Sequence, residues 1–191
     1  MRRDIFWHCT RLSSGEYATL TEEADSSTLS GVCLIPREGE PCRIEYKVNV
    51  DHAWATQVVV VAVMTPRTTE NVHLERDASG HWILDGTRAL HLDGCVDVDL
   101  GWTPATNTLP IRRTQLEPGA SVTIAAAWMR FPELDVVVSR QRYTRLAADR
   151  WRYQSGAYDF ELQTDPESGM VLAYGDDLWR ATGPVTVSPP L

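Results

Sequence analysis

Short segments in which apolar and polar residues alternate are the feature that most constrains the fold of this chain. The clearest runs from residue 43 to residue 51, where every second side chain is apolar. Since successive side chains of a β-strand point to opposite faces, this pattern predicts a strand with one buried face. Similar segments recur at a spacing of roughly eight to twelve residues, separated by turns rich in Gly, Pro and Asp. Helical turns are predicted only at 106–109 and 146–149.

Two further segments are apolar on both faces. Residues 58–63 are aliphatic throughout, and residues 121–131 carry small or apolar side chains on both sides. Strands that are covered on each side have this composition. We therefore predict an all-β fold in which a single strongly curved antiparallel sheet forms an open or partly closed barrel, with at most one or two short helical turns. Such a sheet can enclose a filled core or a cavity, and periodicity does not choose between them.

The chain of 191 residues shows no internal repeat, low-complexity tract or linker, which indicates one domain. We predict a single β domain over residues 1–182. Residues 183–191 include three prolines and are predicted to form a C-terminal tail.

Two carboxylates mark the centre of the segment 92–113, which reads LDGCVDVDLGWTPATNTLPIRR. On a strand, Asp97 and Asp99 share one face, while the apolar residues around them take the other. Several roles stay open for this pair: a solvated or ion-paired structural role, contact with a ligand, coordination of a divalent cation, or action as a general acid and base. The motif is short, and the structural role is the default interpretation.

Polar and cationic residues follow directly after this strand. Thr103 begins a Thr-Pro turn, Asn107 lies within it, and Arg112 and Arg113 come next. Together they could bind a phosphate or carboxylate head group. Alternatively, one Arg neutralises a central acid and holds the loop in place. In either case we expect close contact between one of the two acids and one of the two guanidinium groups.

Aromatic and amide residues on later strands are candidates for lining a cavity. In the strand predicted over 135–146, Gln141 and Tyr143 share one face, and Trp128 and Tyr153 lie on strands before and after it. We expect an opening lined by residues from 122–131 and 136–143. Packing in a solid core explains these large side chains equally well.

Composition excludes several classes of protein. The net charge of −8 argues against binding to nucleic acids or to anionic membrane surfaces. No stretch approaches the ~18 apolar residues of an integral membrane segment, and the N-terminus lacks the features of a signal peptide. Four widely spaced Cys and five His form no metal motif, so we predict no metal and no cofactor. The expected location is the cytoplasm.

The central segment also resembles a known family. Asp85-Gly86, Cys95, DVDL at 97–100 and TNTLPIRR at 106–113 are similar to the central motif of the glycolipid-binding family, a bacterial domain of unknown function. Trp151-Arg152-Tyr153 and a closing Tyr-Gly-x-x-x-Trp-Arg agree in order, so the resemblance covers almost the whole chain. It implies an open barrel whose fold echoes the periplasmic lipoprotein carriers. It supplies no catalytic residues.

Three functions follow as hypotheses. The first is a non-enzymatic protein that binds a glycolipid or another amphiphile, with the acyl part inside the sheet and the head group near Asn107 and Arg112. The second is a hydrolase or other enzyme on a small anionic or sugar-bearing substrate, with Asp97 or Asp99 as acid or base. The third is a protein-interaction domain with a solid core. The sequence shows neither the ligand nor the oligomeric state.

Overall fold

A computed structural model describes residues 1–11, 13–175 and 178–182. Eight strands form the first half of the chain: β1 (Arg2–Cys9), β2 (Ser14–Glu22), β3 (Ser26–Arg37), β4 (Glu40–Asp51), β5 (Thr56–Met64), β6 (Thr69–Arg76), β7 (Trp82–Leu84) and β8 (Thr87–Arg88). Seven strands form the second half: β9 (Asp97–Leu100), β10 (Ser121–Met129), β11 (Val136–Arg145), β12 (Arg150–Ser155), β13 (Tyr158–Thr164), β14 (Val171–Tyr174) and β15 (Trp179–Thr182).

Helical structure in the described residues is short. A 3₁₀ turn spans Leu90–Leu92, and a second one at Ala105–Asn107 leads directly into α1 (Thr108–Thr114). The helical turn predicted at 106–109 is confirmed, and it continues further than expected. The helical turn predicted at 146–149 is wrong, because the backbone N–H groups of Leu146 and Ala147 both donate to the carbonyl of Arg150 and close the β11–β12 hairpin. The tail predicted at 183–191 lies outside the described residues.

All fifteen strands belong to one sheet, in the order β8-β7-β6-β5-β4-β3-β2-β1-β15-β14-β13-β12-β11-β10-β9. The first eight strands form a meander, and β15 returns to pair with β1. Every pair is antiparallel except β9 and β10, which are parallel. A parallel pair needs a crossover connection, and residues 101–120 with α1 provide it. The single parallel pair is therefore what places α1 beside the sheet.

The sheet curls but does not close. Its last strand, β9, comes close to β5, where Thr56 donates its backbone N–H to the carbonyl of Val96 at 3.1 Å, and its hydroxyl oxygen accepts from the N–H of Val98 at 3.2 Å. No ladder joins β9 to β5 in the described part of the chain. The predicted all-β fold, an open and strongly curved sheet, is confirmed.

Two apolar clusters fill the curl. The larger one takes residues mainly from β1–β7, β9 and β10, with Trp179 from β15, and includes Trp7, Trp82 and the apolar face of β9. The smaller one lies under β11–β14 and includes Tyr143 and Trp151. The alternating segment at 43–51 forms most of β4, and its apolar side chains belong to the larger cluster. The first half of the sheet thus has a filled core.

A buried carboxylic acid lies inside the larger cluster. Glu16 on β2 is fully buried, and its Oε1 accepts hydrogen bonds from the hydroxyls of Tyr46 at 2.5 Å and Thr103 at 2.7 Å. The Tyr46 ring reaches Glu16 by crossing Gly31 on β3, where an added Cβ would lie 2.6 Å from the ring. Gly31 is therefore required for the close packing of β3 against this side chain.

We expect Gly31→Ala to lower the free energy of unfolding by roughly 1–3 kcal/mol, the usual cost of overpacking a core. Urea denaturation of the variant gives the value. In a Tyr46→Leu background the same substitution should cost clearly less, because the ring that opposes the methyl group is gone. Equal costs in both backgrounds would show that Gly31 is not needed for the placement of Tyr46.

Candidate functional site

The first central carboxylate forms a buried ion pair. Asp97 on β9 is 1% exposed, and its two oxygens accept from Nε and Nη2 of Arg113 on α1, at 2.9 and 2.6 Å. Burial raises the pKa of Asp97 above its usual range, and the guanidinium opposes that shift. The expected contact between a central acid and an Arg is confirmed. Since this bidentate pair occupies both carboxylate oxygens, it joins α1 to β9 as a structural clamp.

Arg112 points to a different part of the protein. Its Nη2 donates to Glu22 at 2.6 Å, its Nη1 donates to the carbonyl of Glu167 at 2.5 Å, and its guanidinium carbon lies 4.5 Å from the ring centre of Trp54. It lines a separate, more polar cavity of about 390 Å³. The two arginines therefore do not form one anion-binding pair, because neighbouring positions on a helix are rotated by about 100° from each other.

The second central carboxylate is hydrogen-bonded into a network of uncharged side chains. Oδ2 of Asp99 accepts from Nε2 of Gln141 at 2.6 Å. The hydroxyl of Tyr143 donates to Oδ1 of Asn107 at 2.9 Å and also contacts Oε1 of Gln141 at 3.3 Å. Asn107 in turn donates to the carbonyl of Pro104 at 3.1 Å. The structure thus brings these four predicted site residues together, on the face of β9 that Asp99 shares with Asp97.

Burial raises the pKa of Asp99 to about 6, although the hydrogen bond from Gln141 lowers it in part. The side chain is only partly buried, and it lines a cavity of about 630 Å³. This volume lies within the range of roughly 300–1,000 Å³ that is usual for ligand pockets. A cavity of ligand-binding size is therefore present, and its lining agrees only in part with the predicted opening.

The cavity lies where the two apolar clusters meet. Its lining includes Thr103, Trp128 and Tyr153 from the predicted site, together with residues 137–140 of β11. Of residues 122–131, which were predicted to line the opening, only Trp128 lines the cavity. The aromatic lining residues absent from the predicted site are Trp102, Tyr158, Phe160, Tyr174 and Trp179. Gln141 and Tyr143 line a separate, small void. Arg112 and Arg113 do not line the main cavity.

The mouth of the cavity follows from the unequal lengths of neighbouring strands. β10 pairs with β11 along residues 136–144, whereas β12 pairs only with residues 142–145. The β12–β13 hairpin turns at Gly156 and Ala157, before it reaches the first half of β11. That half of β11 therefore has a strand on one side only, and the gap beside it opens the cavity.

Trp128 can pack in the cavity wall because residue 101 is a glycine. A Cβ on Gly101 would lie 2.6 Å from Nε1 of Trp128 and 3.1 Å from the carbonyl oxygen of Met129. Next to it, Trp102 is 4% exposed, and its buried Nε1 has no hydrogen-bond partner within the described ranges. The turn after β9 thus contributes Trp102 to the cavity, and the absence of a side chain at position 101 leaves room for Trp128 on β10.

Glu16, the residue behind Thr103, was missed by sequence reasoning. Burial raises its pKa to about 7, against the opposing hydrogen bonds of Tyr46 and Thr103. Its position in β2 is a usable signal, because Glu16 alternates in phase with the buried side chains of Ala18 and Leu20. An acid on the apolar face of a strand indicates a buried, hydrogen-bonded carboxyl group.

No cluster of three or more potential metal ligands occurs in the described residues. Within the same residues, no helix has the length and apolar character needed to cross a membrane.

Removing the cation of the buried ion pair should destabilise the fold. We expect Arg113→Gln to lower the free energy of unfolding by about 3 kcal/mol at pH 7, because Asp97 is left without its counter-charge. Urea denaturation measures this loss. The double variant Asp97→Asn/Arg113→Gln should recover part of it, and the exposed Arg142→Gln serves as the control. A loss below about 0.5 kcal/mol, typical of surface changes, would contradict the structural role.

Glu16 should make stability depend on pH. Since its pKa is about 7 in the fold, against an ordinary value of 4.5, the folded state holds the proton more tightly and stability falls as pH rises through this range. We expect Glu16→Gln to reduce the stability difference between pH 5 and pH 8 by roughly 2.5 kcal/mol. The exposed Glu75→Gln should leave that difference as in the wild type. Identical pH profiles for wild type and Glu16→Gln would refute the assignment.

Comparison with known proteins agrees with this architecture. A search of curated proteins finds no match. The crystal structure of a DUF1089 family protein from Pseudomonas aeruginosa is similar, with a TM-score of 0.74 and 31% sequence identity over 85% of this chain and 90% of that chain. The model of the family described as "Putative glycolipid-binding" matches residues 4–180. The chain belongs to this family.

Proposed function

We propose that this protein is a non-enzymatic carrier or sensor that binds one amphiphilic ligand in the 630 Å³ cavity. The observation that carries the proposal is the uneven distribution of polarity around the cavity wall. Seven aromatic side chains of the described residues line the cavity, and the polar groups of Asp99 and Asn107 lie together beside the hydrogen-bond network of Gln141. Apolar walls with a few converging polar groups are typical of ligand sites.

The family description supports an amphiphile of the glycolipid type as the ligand. Sugar rings stack against aromatic faces, and their hydroxyl groups can donate to Asp99 and Asn107. The apolar part of the ligand would leave through the gap beside β11, where Val138 is 43% exposed. The arginine pair is not the head-group anchor in this proposal, because Arg113 binds Asp97 and Arg112 lies at the other cavity.

The enzymatic alternative has weaker support. A general acid–base pair needs two carboxylates that reach the substrate, but both oxygens of Asp97 are held by Arg113 in a buried position. Only Asp99 lines the main cavity. A protein-interaction domain with a solid core agrees less well with a cavity of this size. We also propose a cytoplasmic location, which the four free cysteines support.

The first test is binding of a sugar-bearing, non-ionic amphiphile. Octyl glucoside below its critical micelle concentration should change the tryptophan fluorescence in a saturable way, because three Trp residues line the cavity. Val138→Glu should weaken binding by about tenfold, since it places a charge where the alkyl chain leaves the cavity.

The matched control is Val60→Glu, which changes a valine of nearly equal exposure, 44%, on β5 and outside the cavity. It should leave the affinity unchanged. Non-saturable binding, or equal weakening by both substitutions, would contradict the proposal. Mass spectrometry of molecules that copurify from the native host then identifies the natural ligand.

A further inference from the structure

We propose that the ligand carries an organic ammonium group, which binds beside Asp99 against the aromatic wall of the cavity. This inference rests on the proposed function, because it assigns a chemical class to the polar part of the ligand in the same cavity. The ammonium proposal requires a positive charge on the ligand, whereas the amphiphile proposal does not.

The first argument is that Asp99 has no cationic partner in the described part of the chain. Its Oδ2 accepts from the neutral amide of Gln141, and its Oδ1 accepts no hydrogen bond from the described residues. Asp97, two residues earlier, is by contrast held by Arg113 through both oxygens. A partly buried carboxylate without a counter-charge is costly unless a ligand supplies one.

The second argument is the arrangement of the aromatic rings. The ring centres of Tyr153 and Tyr174 lie 6.2 Å apart, and those of Tyr174 and Phe160 lie 5.1 Å apart, so the three rings form one continuous wall. Trp102, Trp128 and Trp179 also line the cavity. Ring faces attract cations, and several rings around one site are the usual receptor for substituted ammonium groups.

Asp99 and the aromatic rings line the same cavity. Burial raises the pKa of the Tyr153 phenol, and the negative charge of Asp99 raises it further. Burial, Tyr153 and the same carboxylate raise the pKa of Tyr174. The Asp99 charge therefore reaches both phenols, and an ammonium group held against these rings would also interact with that charge.

Two other kinds of cation fit less well. A divalent metal ion needs several oxygen ligands, and no group of three potential metal ligands is present within the described ranges. The basic side chain of the lining that could neutralise Asp99 is that of Arg140. It is exposed and makes no ion pair within the described structure. An organic cation that fills an aromatic cavity agrees better with the lining.

The test compares choline with 3,3-dimethylbutan-1-ol, which has the same shape without the charge. Both are titrated into the intact protein at pH 7.5 and constant ionic strength, with tryptophan fluorescence and calorimetry as readouts. Choline should bind at least about tenfold more tightly than the neutral alcohol, the equivalent of about 1.4 kcal/mol. Equal affinities would overturn the inference.

The matched variant is Asp99→Asn, which keeps the size and the ability to accept a hydrogen bond. It should reduce the advantage of choline over the alcohol to about threefold or less, while circular dichroism reports an intact fold. An undiminished advantage in this variant would exclude Asp99 as the partner of the cation. If octyl glucoside binds the wild type but choline shows no preference, the amphiphile proposal stands and the ammonium proposal falls.

A pH series gives an independent readout. Because the pKa of Asp99 is about 6, choline affinity should increase from pH 5 to pH 7.5 in the wild type and stay nearly constant in Asp99→Asn. Three phenols face Asp99, those of Tyr143, Tyr153 and Tyr174, and burial and nearby charges raise their pKa values above 10. The Asp97 carboxylate also faces it and is paired with Arg113. A pH dependence that survives in Asp99→Asn would contradict the inference.

Discussion

The buried ion pair between Asp97 and Arg113 is the interaction on which the arrangement of the site depends. It joins the crossover helix α1 to β9, which forms with β10 the only parallel strand pair within the described structure. That pairing places the end of β9 next to β10, so that the turn at Gly101 meets the indole of Trp128. Loss of the ion pair would free both the helix and the turn that forms one wall of the cavity.

The cavity itself results from a mismatch between neighbouring strands. A regular hairpin would pair with the whole of β11, but the β12–β13 hairpin ends early and leaves a gap. Aromatic side chains from five strands and from the turn after β9 line the cavity, and Asp99 lies among them with one oxygen free of hydrogen bonds from the described residues. A carboxylate in such surroundings is unfavourable for folding. Its position in the cavity lining agrees with a role in binding rather than in stability.

A second buried acid connects the core to the same site. Glu16 lies inside the larger apolar cluster and accepts a hydrogen bond from Thr103, which also lines the cavity. Tyr46 makes the second hydrogen bond, across the space that Gly31 leaves open. The three side chains link β2, β4 and the turn after β9, so the cavity wall is fixed to the filled half of the sheet by a polar contact.

The sequence by itself determined the local features of this protein. Alternation identified β4 and placed Asp97 and Asp99 on one face, and the turn residues and prolines indicated the helical turn that became part of α1. It did not determine which Arg meets which acid, because the helix rotates Arg112 away from Arg113. It also left open the choice between filled core and cavity, since that depends on where the β12–β13 hairpin ends relative to β11. Those features rest on contacts between residues far apart in the chain, such as Gln141 with Asp99 and Thr103 with Glu16, and only the tertiary structure brings such residues together.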